Sequence, residues 1–208
     1  MEEPPNHIGV DSIPSPMIRK RPGNLMRVRR FFGLGLLKTQ GIPIYRRIIR
    51  LVRPLISTQE ASEEELREVS TWLGSGDLKL HPSQGPRATN YVAKNRRKIL
   101  GFVQLVRYAP EYYPYVGHWL MGLTVRSLYR GMGIGEELTR MVIAKATEGK
   151  AEEIFLLVFE DNRPAIDCYL KLGFQEHMNP ALEEQLEMER KTSGRKRVLM
   201  RKRVIQGG

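Results

Sequence analysis

The segment at residues 119–135 constrains the fold of this chain more than any other. Residues 119–125 are apolar and predict a strand, glycines follow at positions 131, 133 and 135, and a helical apolar pattern begins at Ile134. Glycine lacks a Cβ and tolerates positive φ, so a turn of this kind leaves several backbone N–H groups pointing outward. The first N–H groups of a helix have no intrahelical partner and lie at the positive end of its dipole. With the charge of Arg130 added, the segment predicts an anion site, most naturally for phosphate.

Two common phosphate loops are excluded by a single residue, Glu136. A P-loop places Lys and Ser/Thr after its last glycine, whereas Glu136 follows Gly135 here. The dinucleotide fingerprint needs a glycine at the position of Glu136. The motif that remains is Arg-x-x-Gly-x-Gly at residues 130–135. Taken alone, this motif leaves open a plain glycine-rich turn that only connects a strand to a helix.

A second motif lies downstream, at residues 162–174. It has the pattern Asn-x-x-Ala-ϕ-x-x-Tyr-x-x-x-Gly-Phe, in which ϕ is apolar. Together the two motifs resemble, in the same order, the signatures of the GNAT superfamily of acetyl-CoA-dependent N-acetyltransferases. The resemblance covers roughly residues 47–205. It implies an α/β fold, with a GNAT-like mixed central sheet and flanking helices.

Two regions are expected along the chain. Residues 1–46 form a basic N-terminal extension that contains Pro and Gly, and residues 47–208 form the GNAT-like N-acetyltransferase domain. Within the extension, residues 1–23 predict an irregular arm and residues 25–40 favour a short basic amphipathic helix. The domain opens with a strand over residues 48–56 that ends near Pro54. A loop rich in Gly, Pro and Ser occupies residues 74–87.

Local patterns predict the other elements of the domain. A capping box at residues 62–65 begins a helix, and residues 89–93 and 99–108 form a hairpin. The helix after the glycine turn ends at Gly149, and the strand over residues 154–159 lies parallel to residues 118–125, as a right-handed βαβ unit requires. The chain then continues with a helix over residues 162–173, a strand from 174, an acidic helix over 181–191 and a closing strand over 195–204.

The resemblance implies acetyl-CoA as the co-substrate, and it assigns residues to the site. No metal is expected, because the histidines are scattered and no Cys/His cluster has metal-ligand spacing. The pyrophosphate clamp of the family matches Arg130, Gly131, Met132, Gly133, Ile134, Gly135 and Glu136. The main chain of Leu123, Thr124 and Val125 matches the strand that meets the pantetheine arm and the acetyl carbonyl. Asn162 matches a CoA contact, and a plain helix cap is its alternative. Tyr169 matches the tyrosine that protonates or hydrogen-bonds the departing sulfur, and a packed core tyrosine is its alternative.

The general base is the point at which the sequence departs from the family. At the two positions where family members carry a catalytic glutamate, this chain has Trp119 and Leu157, and neither side chain can accept a proton. The remaining candidates are His118, Glu111, Glu160 and Glu176. A water relay, or an amine that arrives neutral, would also serve. Cys168 is interpreted as a small buried side chain, because the resemblance implies direct transfer from CoA to the amine.

The expected activity is therefore N-acetyl transfer from acetyl-CoA to a primary amine on a protein or peptide. Four acidic side chains lie in the segment that borders the acceptor site in the family: Glu183, Glu184, Glu187 and Glu189. Acidic side chains attract cations, so a small cationic amine is a second acceptor class. A solvated acidic helix explains the same pattern without an acceptor.

The charge distribution indicates a different class of function. The net charge is +11, residues 1–60 hold 11 Lys/Arg against 4 Asp/Glu, and residues 190–208 hold eight Lys/Arg and no acidic residue. Basic ends favour an anionic partner such as RNA or a ribosome, although solvated charge gives the same pattern. One alternative function is therefore a nucleic-acid- or ribosome-binding protein on a GNAT fold. A second alternative is a non-catalytic acyl-CoA sensor, because the two catalytic glutamates of the family are missing.

Cysteine content and hydropathy bear on the compartment. The single cysteine, Cys168, excludes an internal disulfide and suits a reducing compartment. The N-terminal residues lack the apolar core of a secretory signal, and there is no run of about eighteen apolar residues that would span a membrane. A cytoplasmic location is therefore predicted. Nothing in the sequence indicates whether the protein is a monomer or an oligomer.

Overall fold

The structure is a computed structural model and describes residues 56–73 and 87–204. These residues form a seven-stranded mixed sheet with helices packed on both faces, which confirms the expected α/β architecture. In chain order the elements are β1 (Ile56–Glu60), α1 (Glu63–Leu73), β2 (Arg87–Asn95), β3 (Lys98–Tyr108), β4 (Gly117–Val125), α2 (Ile134–Glu148), β5 (Glu153–Phe159), α3 (Arg163–Lys171), β6 (Gln175–Glu176), α4 (Pro180–Ser193) and β7 (Arg197–Arg203). The strand order is β1-β2-β3-β4-β5-β7-β6, and only the β4–β5 pair is parallel among these strands.

Local signals in the sequence produce several of these elements as predicted. At the start of α1, Ser62 N donates to Glu65 Oε2 over 2.9 Å and Glu65 N donates to Ser62 Oγ over 3.2 Å, which completes the capping box. β2 and β3 form the predicted hairpin. Asn179 caps α4, because its Oδ1 accepts a hydrogen bond from Ala181 N over 3.1 Å.

Two predicted boundaries near the start of the domain are wrong. The strand expected to end at Ile56 begins there, because β1 continues to Glu60 along β2. Its residues are mostly polar, and so they carried no apolar signal. The predicted loop over residues 74–87 includes Arg87, which is instead the first residue of β2. The predicted arm, the basic amphipathic helix, the strand at 48–55 and the loop at 74–86 lie outside the described residues.

The two faces of the sheet carry different helices. On one face, Leu138 of α2 and Ile166 of α3 pack with Leu120 and Leu156 in the largest core cluster. On the other face, α1 covers Val92 and Phe102 through Val69, whereas α4 covers Val106, Trp119 and Leu199 through Leu182. Successive strand residues point to opposite faces, which explains why neighbours such as Trp119 and Leu120 join different clusters. The second face therefore has two separate helix-covered areas.

β4, the central strand, is irregular at two points. It pairs with β5 only at His118–Ile154 and Trp119–Phe155, although both strands continue beyond these residues. Towards β3, the register shifts so that residues 122 and 123 of β4 lie opposite residue 103 alone, which is a β-bulge. Gly122 in this bulge is exposed and has a φ of +62°. We call the space between residues 120–125 of β4 and 156–159 of β5 the β4–β5 gap.

Candidate functional site

The β4–β5 gap leaves backbone groups without a strand partner in the middle of the sheet. Peptide groups of β4 beyond Trp119 that point towards β5 have no ladder bond to it. The predicted site residues Leu123 and Val125 belong to this stretch, and their side chains pack against the main core instead. Thr124 Oγ1 donates to Gly122 O over 3.0 Å, so this hydroxyl is bonded locally. The stretch therefore has main-chain groups that do not pair with β5.

The glycine turn follows the end of β4. Gly131 and Gly133 have φ values of +78° and +80°, the left-handed region that other residues rarely adopt. α2 begins at Ile134 with Gly133 as its N-cap, and no side chain caps this end. The first intrahelical bond is donated by Glu137 N to Gly133 O over 3.0 Å, so the preceding N–H groups of the helix have no intrahelical acceptor.

The surface of this turn is open and positively charged. A Cβ built on Gly133 would have no atom within 4 Å. At Gly135, in contrast, a Cβ would lie 3.8 Å from side-chain carbons of Leu123 and Val125, which seats the helix start against β4. Arg130 Nε donates to Val125 O over 3.1 Å, and this bond fixes the side chain at the mouth of the gap. The fifteen residues of α2 direct the positive end of the helix dipole to the same place.

Glu136 contributes its main chain to the turn, because its side chain is already bound. Its carboxylate accepts hydrogen bonds from Lys171 Nζ over 2.7 Å and from Arg140 Nη2 over 2.8 Å. These two cations hold the pKa of Glu136 below its usual range. The bond to Lys171 connects α2 to α3 across the end of the gap. The carboxylate is thus neutralised, and the turn keeps its positive character.

Asn162 lies where the chain leaves β5 and enters α3. It occupies the N-cap position, but its side chain makes no cap hydrogen bond, so the predicted capping by this side chain is wrong. The backbone closes the turn instead, since Asn162 O accepts from Ala165 N and from Ile166 N, each over 3.1 Å. The side chain is exposed. The carboxylate of the preceding residue, Asp161, accepts hydrogen bonds from Arg195 over 2.9 and 3.1 Å.

Tyr169 lies on α3 and is 6% exposed, within the core cluster between α2, α3 and the sheet. Its ring meets that of Phe174 edge to face, with the ring centroids 5.7 Å apart. Burial raises the pKa of the Tyr169 hydroxyl, so the group stays protonated throughout the physiological range. Cys168 is half-buried and burial raises the pKa of its thiol as well, which fits a small packed side chain.

No candidate base is an exposed carboxylate or imidazole that lies in the β4–β5 gap without an ionic partner. Trp119 is 1% exposed, and Leu157 packs in the same cluster under α4. His118 lies at the paired end of β4 opposite Arg107; burial, and then this cation, lower its pKa. Glu160 follows β5 and is 3.4 Å from Lys196 Nζ. Glu111 lies in a short helical turn before β4, and Glu176 lies on β6 beside β7.

The four glutamates of α4 are not equivalent. Glu187 accepts two hydrogen bonds of 2.8 Å from Arg190, and this neighbour lowers the pKa of the carboxyl. Glu189 is paired with Arg197. Glu183 and Glu184 are exposed on the outer surface of the helix. Half of the predicted acidic set is therefore neutralised within the domain.

The basic residues of the closing segment also have acidic partners. Five ion pairs join it to the domain: Arg195–Asp161, Lys196–Glu160, Arg197–Glu189, Arg201–Glu153 and Arg203–Glu153. These pairs reduce the charge available to RNA. Among residues 56–73 and 87–204, no three His, Cys, Asp or Glu side chains are grouped as a metal would require. No helix in the same ranges is long and apolar enough to cross a membrane.

One polar feature was missed by the sequence interpretation. Asn90 of β2 and Gln104 of β3 are register partners, and Gln104 Nε2 donates to Asn90 Oδ1 over 2.7 Å. Gln104 Oε1 lies 3.7 Å from the position of a Cβ built on Gly122, beside the bulge. The sequence does carry a signal for this pair. In each strand an amide residue occupies an inward position, and the residues two positions before and after it are apolar.

Comparisons with known proteins agree with this fold. A model of the acetyltransferase (GNAT) family matches residues 54–174. Mycothiol acetyltransferase of Corynebacterium glutamicum (strain R) is 29% identical over 136 aligned residues, which cover 57% of this chain and 45% of that protein. The chain therefore spans less than half the length of the curated relatives it matches.

Solved structures show the same architecture at lower identity. The ribosomal-protein-S18-alanine N-acetyltransferase from Escherichia coli aligns with a TM-score of 0.52 at 18% identity, over 74% of this chain and 96% of that chain. A chain of the NatC complex bound to Gag peptide and CoA aligns with a TM-score of 0.53 at 17% identity, over 72% and 99%. At these identities the likeness shows the fold.

Proposed function

The chain belongs to the acetyltransferase (GNAT) family, and from this premise we propose that it transfers an acetyl group from acetyl-CoA to a primary amine on a protein or peptide. One observation carries the proposal. The open, positively charged glycine turn lies at the end of the β4–β5 gap, so an anion site and a row of unpaired backbone groups adjoin each other. A pyrophosphate followed by a long amide-containing arm is the ligand chemistry that fits both.

Residues 130–136 hold the pyrophosphate in this proposal. The N–H groups at the start of α2 point out of the turn, and Arg130 adds a full charge. The fit is supported at Gly133, where a Cβ would project into open space that a phosphate could use. The main chain of Leu123, Thr124 and Val125 meets the pantetheine amides along the free edge of β4. The uncommitted side-chain amide of Asn162 contacts CoA from the opposite wall.

Tyr169 supplies the proton for the leaving group. The amine nitrogen forms a bond to the thioester carbon, the C–S bond breaks, and its electron pair goes to sulfur. The nitrogen loses one proton and the sulfur gains one, so acetyl-CoA and the amine become free CoA and an acetamide. Burial keeps the Tyr169 hydroxyl protonated, and we assign to it the donation of this proton to the departing sulfur, as the match to the family motif implies.

A protein or peptide acceptor is supported by neighbours of the same fold. The E. coli neighbour is named for an alanine of ribosomal protein S18, and the NatC neighbour was solved with a Gag peptide. The curated relative is named for a different acceptor, mycothiol. A small cationic amine is the alternative class, and Glu183 and Glu184 are the exposed acids that would attract it. We assign the reaction to residues 47–208 and treat residues 1–46 as an extension.

Two measurements on the full chain test the proposal. Isothermal titration with acetyl-CoA, free CoA and NAD should show binding of the first two and little binding of NAD. Release of free CoA is then followed with a panel of amines: peptides with a free N-terminus, lysine peptides with a blocked N-terminus, and spermidine. Binding without turnover of any amine would favour the acyl-CoA sensor, and no binding by the folded protein would refute the site. RNA binding with a steep salt dependence would favour the nucleic-acid alternative.

A further inference from the structure

An amide pair interrupts the apolar second face of the sheet beside the bulge. Asn90 and Gln104 occupy inward positions of β2 and β3. The inward neighbours of Gln104 on its own strand, Phe102 and Val106, are buried. Phe102 lies under α1 and Val106 lies under α4, so the pair sits between the two helix-covered areas. Both amides are partly exposed, which leaves them accessible from this strip of the sheet.

The hydrogen bond within the pair fixes the direction of the Gln104 amide. Because Nε2 donates to Asn90 Oδ1 over 2.7 Å, Oε1 is turned to the opposite side, towards Gly122. Gly122 is exposed, and a Cβ built on it would lie 3.7 Å from Oε1, so Oε1 borders an exposed residue of the bulge. An amide oxygen accepts two hydrogen bonds and donates none. The strip therefore presents a fixed acceptor next to the main chain on which the acetyl carbonyl would lie.

We propose that Gln104 orients the attacking amine by accepting a hydrogen bond from one of its N–H groups, and that Asn90 is the positioning residue that holds Gln104. This inference rests on the proposed function, because it assumes that the thioester reaches the bulge through the β4–β5 gap. Accepting one N–H turns the nitrogen lone pair to the carbonyl carbon. The role needs no carboxylate, and it agrees with the occupation of the two glutamate positions by Trp119 and Leu157.

The proton balance follows from the chemistry of an amide. Gln104 accepts a hydrogen bond but takes no proton, so the amine arrives neutral. The N–C bond forms, the C–S bond breaks with its electron pair on sulfur, and the thiolate receives a proton from Tyr169. The second N–H proton of the amine passes to water, and water returns a proton to Tyr169. The N–H bound to Gln104 remains on the product amide.

Because that N–H survives in the product, stable CoA conjugates test the contact without knowledge of the natural acceptor. The probes are CoA-S-CH2-CO-NH-CH3 and its ester counterpart CoA-S-CH2-CO-O-CH3, which has an oxygen in place of the N–H. Titration calorimetry with wild type should show about a tenfold preference for the amide, the size expected of one net hydrogen bond. Gln104→Met keeps the volume and removes the acceptor, so this variant should bind both conjugates about equally.

Three further variants separate recognition from structure. Gln104→Glu retains an acceptor and should keep the preference for the amide. Asn90→Leu frees the Gln104 amide to turn and should reduce the preference. Gln59→Met, on the edge strand β1 with its amide 3.4 Å from Glu65 Oε1, is the matched control and should leave it unchanged. A purely structural role would weaken both conjugates by the same factor.

The outcomes also distinguish this inference from the proposed function. If wild type binds both conjugates equally, or if Gln104→Met keeps the preference, the role of Gln104 is refuted while the CoA site stands. If neither conjugate nor CoA binds the folded protein, the proposed function fails first and the inference falls with it. Gln104→Leu repeats the test with a different shape, so a folding defect of one variant does not decide the result.

Discussion

The two edges of β5 are built in opposite ways. Towards β7 it is paired along its whole length, from Glu153–Arg203 to Phe159–Arg197. Towards β4 it is paired at only two residues, Ile154 and Phe155, before the strands separate. The paired edge satisfies its backbone groups within the protein, whereas the open edge leaves them for another molecule. The same strand thus stabilises the sheet on one side and forms a wall of the candidate site on the other.

The strands that separate are joined again by the helices that follow them. α2 begins just beyond β4 and α3 begins just beyond β5, and Glu136 of α2 binds Lys171 of α3 over 2.7 Å. Both helices also share the core cluster that contains Tyr169. Side-chain packing and one ion pair therefore connect the two helices that follow the strands, beyond the point where ladder hydrogen bonds are missing.

The largest expected effect comes from blocking the mouth of the gap. Gly133→Glu places a carboxylate where phosphate would lie and strains a backbone with a φ of +80°. We expect CoA affinity to fall at least about a thousandfold, because both the shape and the charge of the anion site are lost. Titration calorimetry measures the affinity. Gly194→Glu is the matched control, since this residue also has a left-handed φ, +71°, and open space around it. Undiminished binding by Gly133→Glu would place CoA elsewhere.

A smaller effect is expected when the proposed proton donor is removed. Tyr169→Phe keeps the packed ring and removes the hydroxyl, so turnover should fall about a hundredfold, as expected for loss of a general acid. CoA affinity should be unchanged. Tyr91→Phe is the control, because Tyr91 is a buried tyrosine of the same core cluster. Steady-state assays of CoA release with an active amine from the panel measure the effect. Equal turnover in wild type and Tyr169→Phe would remove the acid role.

Hydrogen exchange compares the strands that lie on the two sides of β5, namely β7 and β4. Amides of β7 should exchange slowly without ligand, whereas those at residues 123–125 of β4 should exchange faster. In CoA at ten times its Kd, exchange at residues 123–125 should slow about tenfold. Peptide-level mass spectrometry resolves these segments. Protection of β4 that is already high and insensitive to CoA would mean that the gap is closed to the ligand.

The smallest effect concerns the link between α2 and α3. The pKa of Glu136 is lowered in the folded protein, so its ionised form favours folding. This stabilisation is present above the pKa of the unfolded chain and is lost as pH falls through the folded-state pKa.

At pH 7, Glu136→Gln should therefore lower Tm by no more than about 3 °C, the scale of a partly exposed ion pair. The difference from wild type should shrink once the pH falls below the ordinary range of carboxyl titration, and it should be lost below the lowered folded-state pKa of Glu136. Glu148→Gln, which breaks a pair within α2, is the control, and a Tm difference that persists at low pH would contradict the ion-pair account.

The sequence predicted the glycine turn and the capping box because each depends on neighbours in the chain. Gly133 at a helix start and Ser62 three residues before Glu65 carry their conformations locally. The separation of β4 from β5 could not be predicted in this way, because the register between strands whose partners, such as His118 and Ile154, are 36 residues apart in the chain depends on the whole core. The pairing of Asn90 with Gln104 depends on register too. Asn162 shows that a local signal can also mislead. The residue type predicted the N-cap position correctly, but its side chain does not make the hydrogen bond that such a cap usually makes.

The position of β7 determines the order in which the sheet can be completed during synthesis. β6 and α4 leave the ribosome before β7, yet β7 lies between β5 and β6 in the sheet. Until β7 emerges, β5 exposes the edge that will become its fully paired side, and β6 has no neighbour to bind. An open apolar strand edge is a template for pairing with other chains. A nascent chain that stalls within α4 would therefore be prone to aggregate, and a chaperone that covers β5 would protect it.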